Sequence, residues 1–148
     1  MTNTVKLLYC MRRLPHMDRA QFQAYWYDVH APFVRARAEA LGISRYIQSH
    51  PTNDNLSKTL AEKRGAPPAF DGVAELWFDS REGVTEEWKA GARKANAELL
   101  EDEARFIDFT ASPMFLVEER LILEKDENGT IRDFIRMHAM APAPPTPP

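Results

Sequence analysis

The chain has 148 residues, one cysteine and a net charge of −3, with acidic and basic residues interspersed. That length suits one domain with a sizeable core. The charge balance speaks against a nucleic-acid partner, which calls for a basic stripe, and the longest apolar runs fall short of a membrane span. Cys10 has no internal disulfide partner, which fits a reducing cytoplasm.

Val5–Met11 reads as a strand, rich in β-branched, aromatic and aliphatic residues and ended by Arg12-Arg13-Leu14-Pro15. Val5, Leu7, Tyr9 and Met11 alternate with Leu8 and Cys10, so the strand is apolar on both sides and both faces of its sheet are expected to be covered. Asp18 can cap a helix that follows. Phe22, Trp26, Val29 and Phe33 recur on one face at 3.6-residue spacing, with Tyr25 and His30 on the flanks. Pro32 lacks the N–H for the Asp28 carbonyl and is expected to kink the helix, which runs on to Leu41 and Gly42.

A second strand is expected over Ile43–His50, with Tyr46, Gln48 and His50 on one side and Arg45 and Ile47 on the other. Residues 51–72 are polar and hold a short helix over Leu56–Arg64; such a segment is a surface insertion or a lid. Val73–Phe78 is a third strand, with Val73, Glu75 and Trp77 sharing a face. A helix capped by Ser80 carries the stripe Trp88, Ala92, Ala95, Leu99 and Leu100 to about Glu101. Met114–Lys125 reads as a fourth strand, and Asn128-Gly129 turns it into a hairpin with Thr130–Met137. The Ala/Pro-rich 141–148 is expected to be a disordered tail after a domain spanning 1–140.

The order β-α-β-β-α-β describes an α+β, ferredoxin-like sandwich with an extra C-terminal hairpin arm. Its helices cover one sheet face, and a two-fold homodimer would bury the other.

The run YCMRRLPHMDRAQFQAYWYDVHAPFV, a strand ending in Arg-Arg-x-Pro followed by Phe-x-x-Tyr-Trp-x-x-x-His-x-Pro, resembles the opening signature of the EthD family. DEARFIDFTASPMFLVEE resembles that family's C-terminal segment, while the middle of the chain matches less well. The resemblance implies a dimeric α/β barrel. It also implies metal-free and cofactor-free chemistry on phenolic, lactone or polyketide-like molecules, with histidine as acid or base. His30 is the residue carried over by motif position, with Tyr25 and Trp26 beside it.

From strand alternation, Tyr46 and His50 are candidates to face His30 across a cleft, since an imidazole transfers protons near neutral pH. Tyr9, Tyr25, Trp26, Phe33 and Trp77 are candidates for an apolar pocket wall, and Glu75 for an inward carboxylate paired with Arg12 or Arg45. No His-x-His or Glu-x-x-His spacing marks a metal site. Two functions follow as expectations. One is a cofactor-independent lyase, cyclase, dehydratase, decarboxylase or isomerase of a small aromatic, lactone or polyketide-like hydrophobic molecule; the other is a non-catalytic small-molecule binding or accessory protein for a neighbouring oxygenase or degradation pathway.

Overall fold

The computed structural model describes residues 4–85 and 90–134. They form two compact units divided after Val117. The expected tail, Trp88 and the end of the second hairpin strand lie outside the described residues.

The first unit is a four-stranded antiparallel sheet in the order β2-β3-β1-β4, formed by β1 Val5–Met11, β2 Ile43–Ser49, β3 Gly72–Phe78 and β4 Met114–Val117. Between β1 and β2 run α1 Arg19–Tyr25, a π-helical turn Trp26–His30, α2 Ala31–Arg35 and α3 Ala38–Leu41. The exposed α4 Asn55–Glu62 precedes β3, and α5 Arg81–Thr85 and α6 Ala90–Glu103 follow it. The helices lie over one face of the sheet, as the ferredoxin-like reading expects. Among the described residues, no helix is long and apolar enough to cross a membrane.

Asp18 caps α1 in a reciprocal box: its side chain accepts from the Gln21 N–H, and Gln21 accepts from the Asp18 N–H. Pro32 does not kink the helix at one point. The irregularity is spread over a π turn, in which the Ala31 N–H reaches the Trp26 carbonyl, five residues back. One extra residue in that turn moves the buried face along by one. Val29, expected inside, is 47% exposed, while Phe22, Trp26, His30 and Val34 are buried. The π turn is what carries the histidine from the flank of the stripe into the core.

The core is aromatic. Phe22 and Phe106 rings stand 5.4 Å apart, Phe22 and Trp26 5.8 Å, and His30 lies 4.9 Å from Phe106. Trp26 also presses on Gly72, where an added Cβ would fall 2.5 Å from the indole ring, so β3 has to begin with glycine for the tryptophan to reach the sheet. The Arg-Arg-x-Pro corner is a clamp. Buried Asp71 accepts from the Arg13 N–H at 2.8 Å, the Arg13 guanidinium at 2.6 Å and Arg19 Nε at 3.2 Å.

The strand expected over Met114–Lys125 divides. Met114–Val117 stays in the sheet, and Leu123–Lys125 (β5) belongs to the second unit, where it pairs with Ile131–Asp133 (β6). The run Glu118-Glu119-Arg120 between them carries charge where a covered strand needs apolar residues. Asp126 closes the Asn128-Gly129 turn by accepting from the Asn128 and Thr130 N–H groups.

Candidate active site

A partly open cavity of about 170 Å³ lies between the helices and the sheet. Sheet residues Leu7, Tyr9 and Leu76 form its floor, and Trp26, His30 and Leu99 come from the helices. Most of the wall is apolar. Its polar groups are His30, Tyr9, Tyr46, Asn96 and Glu103.

His30 enters at the end of the π turn, and its Nδ1 lies 2.7 Å from Asp102 Oδ2. Tyr25 donates its hydroxyl to Asp102 Oδ1 at 2.6 Å. A carboxylate that accepts from both sides holds imidazole in the tautomer protonated at Nδ1. That leaves the Nε2 lone pair for the cavity. Burial lowers the His30 pKa, and the hydrogen bond and charge of Asp102 oppose this without cancelling it. The ring is therefore neutral at pH 7, the form of a base. Burial, helped by the bond to Asp102, raises the Tyr25 pKa.

Glu103 is the next residue along. Burial, reinforced by the neighbouring charge of Asp102, pushes its carboxyl up to about 7. It divides between acid and base near neutral pH. Tyr46 is pushed up to about 12 by burial, against hydrogen bonds from Gln48 and Trp26. Its oxygen accepts from Gln48 Nε2 at 2.8 Å, so its own proton is available to a ligand. Tyr9 rises further, through burial and the charge of Glu103.

Several residues singled out in the sequence meet here, and others do not. His30, Tyr46, Tyr9 and Trp26 line one cavity. Tyr25 stands behind it, on Asp102. Phe33 is covered by the Arg37 guanidinium, 3.3 Å from its ring centre, and lies outside the cavity lining. His50 sits in an open groove with Gln23, Tyr27 and Gln48, its ring 4.5 Å from Trp26 and its Nε2 2.8 Å from Gln48 Oε1. Tyr46 borders both the groove and the cavity. Trp77 and Glu75 point to the opposite sheet face, because Ala74, Leu76 and Phe78 of the same strand face the cavity. There Glu75 pairs with Lys6 at 2.7 Å rather than with Arg12, and Trp77 lies between Lys6 and Arg45.

Asp102 and Glu103 went unrecognised as site residues in the sequence, although a signal was present. The stripe Ala92, Ala95, Leu99, continued by three and four residues, lands on both carboxyls and then on Phe106.

The EthD domain model matches residues 14–110. The chain belongs to the EthD-domain family. The match takes in the π turn, His30, Asp102 and Glu103 of this EthD-domain protein. An EthD-like protein from Ralstonia eutropha JMP134 is 25% identical, with 80% of this chain and 93% of that one covered at a TM-score of 0.53. An ethyl tert-butyl ether D (EthD) family protein from Bacillus halodurans C-125 is 16% identical over 79% of this chain and 99% of that one, at a TM-score of 0.52. A dimeric protein of unknown function and ferredoxin-like fold from Bacteroides fragilis NCTC 9343 is 9% identical over 79% and 97%, at 0.51. No curated protein matches the chain.

Proposed function

We propose that this EthD-domain protein is an enzyme that carries out acid–base chemistry on a small hydrophobic molecule without a cofactor. The observation that supports it is one geometry. His30 is tied through Nδ1 to Asp102, and its other nitrogen is left to a largely apolar cavity that Glu103 also lines. A neutral imidazole and a carboxyl poised near 7 give one base and one acid at the same pH. A cavity of about 170 Å³ admits about one six-membered ring. That favours single-ring aromatic or lactone substrates over multi-ring polyketides. Lyase, dehydratase, decarboxylase, cyclase and isomerase reactions each include a proton transfer that such a base and acid can assist.

The test is the titration of the His30 ring by NMR with and without phenol. The expected ring titrates below its ordinary value of 6.5 and shifts when phenol fills the cavity. An ordinary titration that phenol leaves unchanged would sink the enzyme reading. Phenol binding with no effect on the ring would instead favour a non-catalytic binding protein.

We also propose that the protein is a cytoplasmic homodimer. Leu8, Ile47, Val73, Trp77 and Phe115 lie on the sheet face away from the helices, and a two-fold partner would cover them. The dimeric relative from Bacteroides fragilis supports this assembly. Sedimentation at micromolar concentration should give a dimer; a stable monomer would rule it out.

A further inference from the structure

The polar groups of the cavity do more than move protons, because their arrangement selects a ligand. Three observations bear on it. The first is size, about one ring in about 170 Å³. The second is charge: Glu103 lines the cavity and Asp102 stands behind it, so a ligand carboxylate would face two carboxyl groups in a medium of low dielectric. The third is hydrogen-bonding sense. His30 Nε2 is an acceptor, while the Tyr46 hydroxyl, which accepts from Gln48, has its proton left to give. The Glu103 carboxyl, held near 7, is about half protonated at neutral pH, and its protonated form is a second donor. A base and two donors lining one largely apolar chamber are the groups needed to abstract a proton next to a carbonyl group and stabilise the oxygen as it takes on charge.

We propose that the cavity takes an uncharged cyclic carbonyl compound of single-ring size, a ketone or lactone, and that His30 enolises it while Tyr46 and Glu103 receive the carbonyl oxygen. This rests on the acid–base reading given above and names its substrate class. In the step, the C–H bond next to the carbonyl breaks and its proton goes to His30 Nε2. The electron pair becomes the carbon–carbon double bond of the enol. The carbonyl π pair moves onto oxygen, which takes the proton of Glu103. The imidazolium so formed faces Asp102 across the 2.7 Å contact. Return of a proton to the same carbon regenerates the carbonyl compound, and return to a more distant carbon of a conjugated enol shifts a double bond. No oxidant or reductant is needed.

The experiment uses the full chain with cyclohexanone in D₂O and follows the loss of the α-proton signals by NMR. Phenol, a stable mimic of the enol, serves as competitor, and cyclohexanecarboxylate as the charged control. The protein should accelerate exchange over buffer, and phenol should inhibit it. Cyclohexanecarboxylate at equal concentration should leave it unchanged. His30→Asn should lower the rate by about 10²- to 10⁴-fold. Tyr46→Phe, which keeps the ring and removes the donor, should lower it by about tenfold or more. If phenol still shifts the His30 ring but exchange stays at the buffer rate, the substrate class is wrong while the acid–base site stands. If phenol has no effect on the ring either, both fall. Exchange that survives His30→Asn, or inhibition by cyclohexanecarboxylate equal to that by phenol, would also overturn the proposal.

Discussion

The chain buries carboxyl groups in two places and treats them in opposite ways. Asp71 meets the backbone N–H of Arg13 and the guanidinium groups of Arg13 and Arg19. Burial pushes its pKa up, but these bonds outweigh burial and hold it below the usual carboxylate value. Asp102 and Glu103 meet an imidazole and tyrosines instead. At Glu103 burial dominates, reinforced by the charge of Asp102, and leaves the carboxyl near 7. Both clusters belong to the aromatic helix and what packs on it, so depth does not separate them. The partner does: a permanent cation makes a buried carboxylate a clamp, and a titratable partner makes it a proton donor or acceptor.

The comparison breaks first at Asp71. Asp71→Ala leaves the Arg13 N–H without its acceptor and parts two guanidinium groups from their anion. A loss of about 3 kcal/mol in urea denaturation is expected, with phenol still shifting the His30 ring in the folded fraction. A variant as stable as the parent would mean the clamp is ornamental.

Asp102→Asn tests the other cluster. The carboxamide offers one acceptor and one donor group where the carboxylate accepted twice. With Tyr25 donating to the oxygen, the NH₂ faces His30 Nδ1 and forces the ring proton onto Nε2. The cavity then meets a donor instead of a base. Exchange of cyclohexanone should fall by about 10²-fold or more, and the His30 pKa should move further down, since the group that raises it is gone. Unchanged exchange would show that Asp102 does not set the tautomer.

Glu103→Gln gives a smaller effect, read as a pH dependence of stability. The ordinary carboxyl value is 4.5 and the folded one about 7. The unfolded chain therefore ionises first, and this group's contribution, complete below 4.5, is lost as pH rises towards 7. His30, with a lowered pKa, works the other way: its contribution is present above 6.5 and is lost as pH falls. Relative to the parent, Glu103→Gln should gain about 2–3 kcal/mol between pH 4.5 and pH 8. A constant difference across that range would mean that Glu103 titrates normally.

How far the sequence reached follows the same division. Alternation and turn residues placed all four strands of the sheet and the hairpin turn, because a period of two and an Asn-Gly pair are local signals. The helical stripe was legible up to Trp26 and failed beyond it. A π turn inserts a residue by tertiary fit, so Val29 was expected inside where His30 lies. Strand alternation correctly put Glu75 and Trp77 together, but it cannot say which side of a sheet the helices cover. Asp102 and Glu103 stand in a block whose family likeness was visible, yet their chemistry comes from Tyr25, His30 and Tyr9, between 72 and 94 residues away in sequence. No window on the sequence joins them.

His50 should give the smallest effect and the sharpest test of where the site is. Burial lowers its pKa as it does that of His30, so titration alone does not tell the two apart. Position does. His50 lies against Trp26 in the open groove, and its Nε2 contacts Gln48 Oε1 at 2.8 Å. Gln48 in turn donates to the Trp26 carbonyl and to Tyr46. Through this chain His50 reaches the cavity indirectly, by holding Gln48 and, through Gln48, the hydroxyl of Tyr46. His50→Asn keeps a donor for Gln48 and removes the titratable ring. Stability should change by less than about 1 kcal/mol, and exchange of cyclohexanone by less than about tenfold, with no change in the shape of the pH–rate profile. A loss as large as that of His30→Asn, with an altered pH profile, would move proton transfer out of the cavity and into the groove. The groove has room for a larger molecule than one ring, so the limit on substrate size would fall with it.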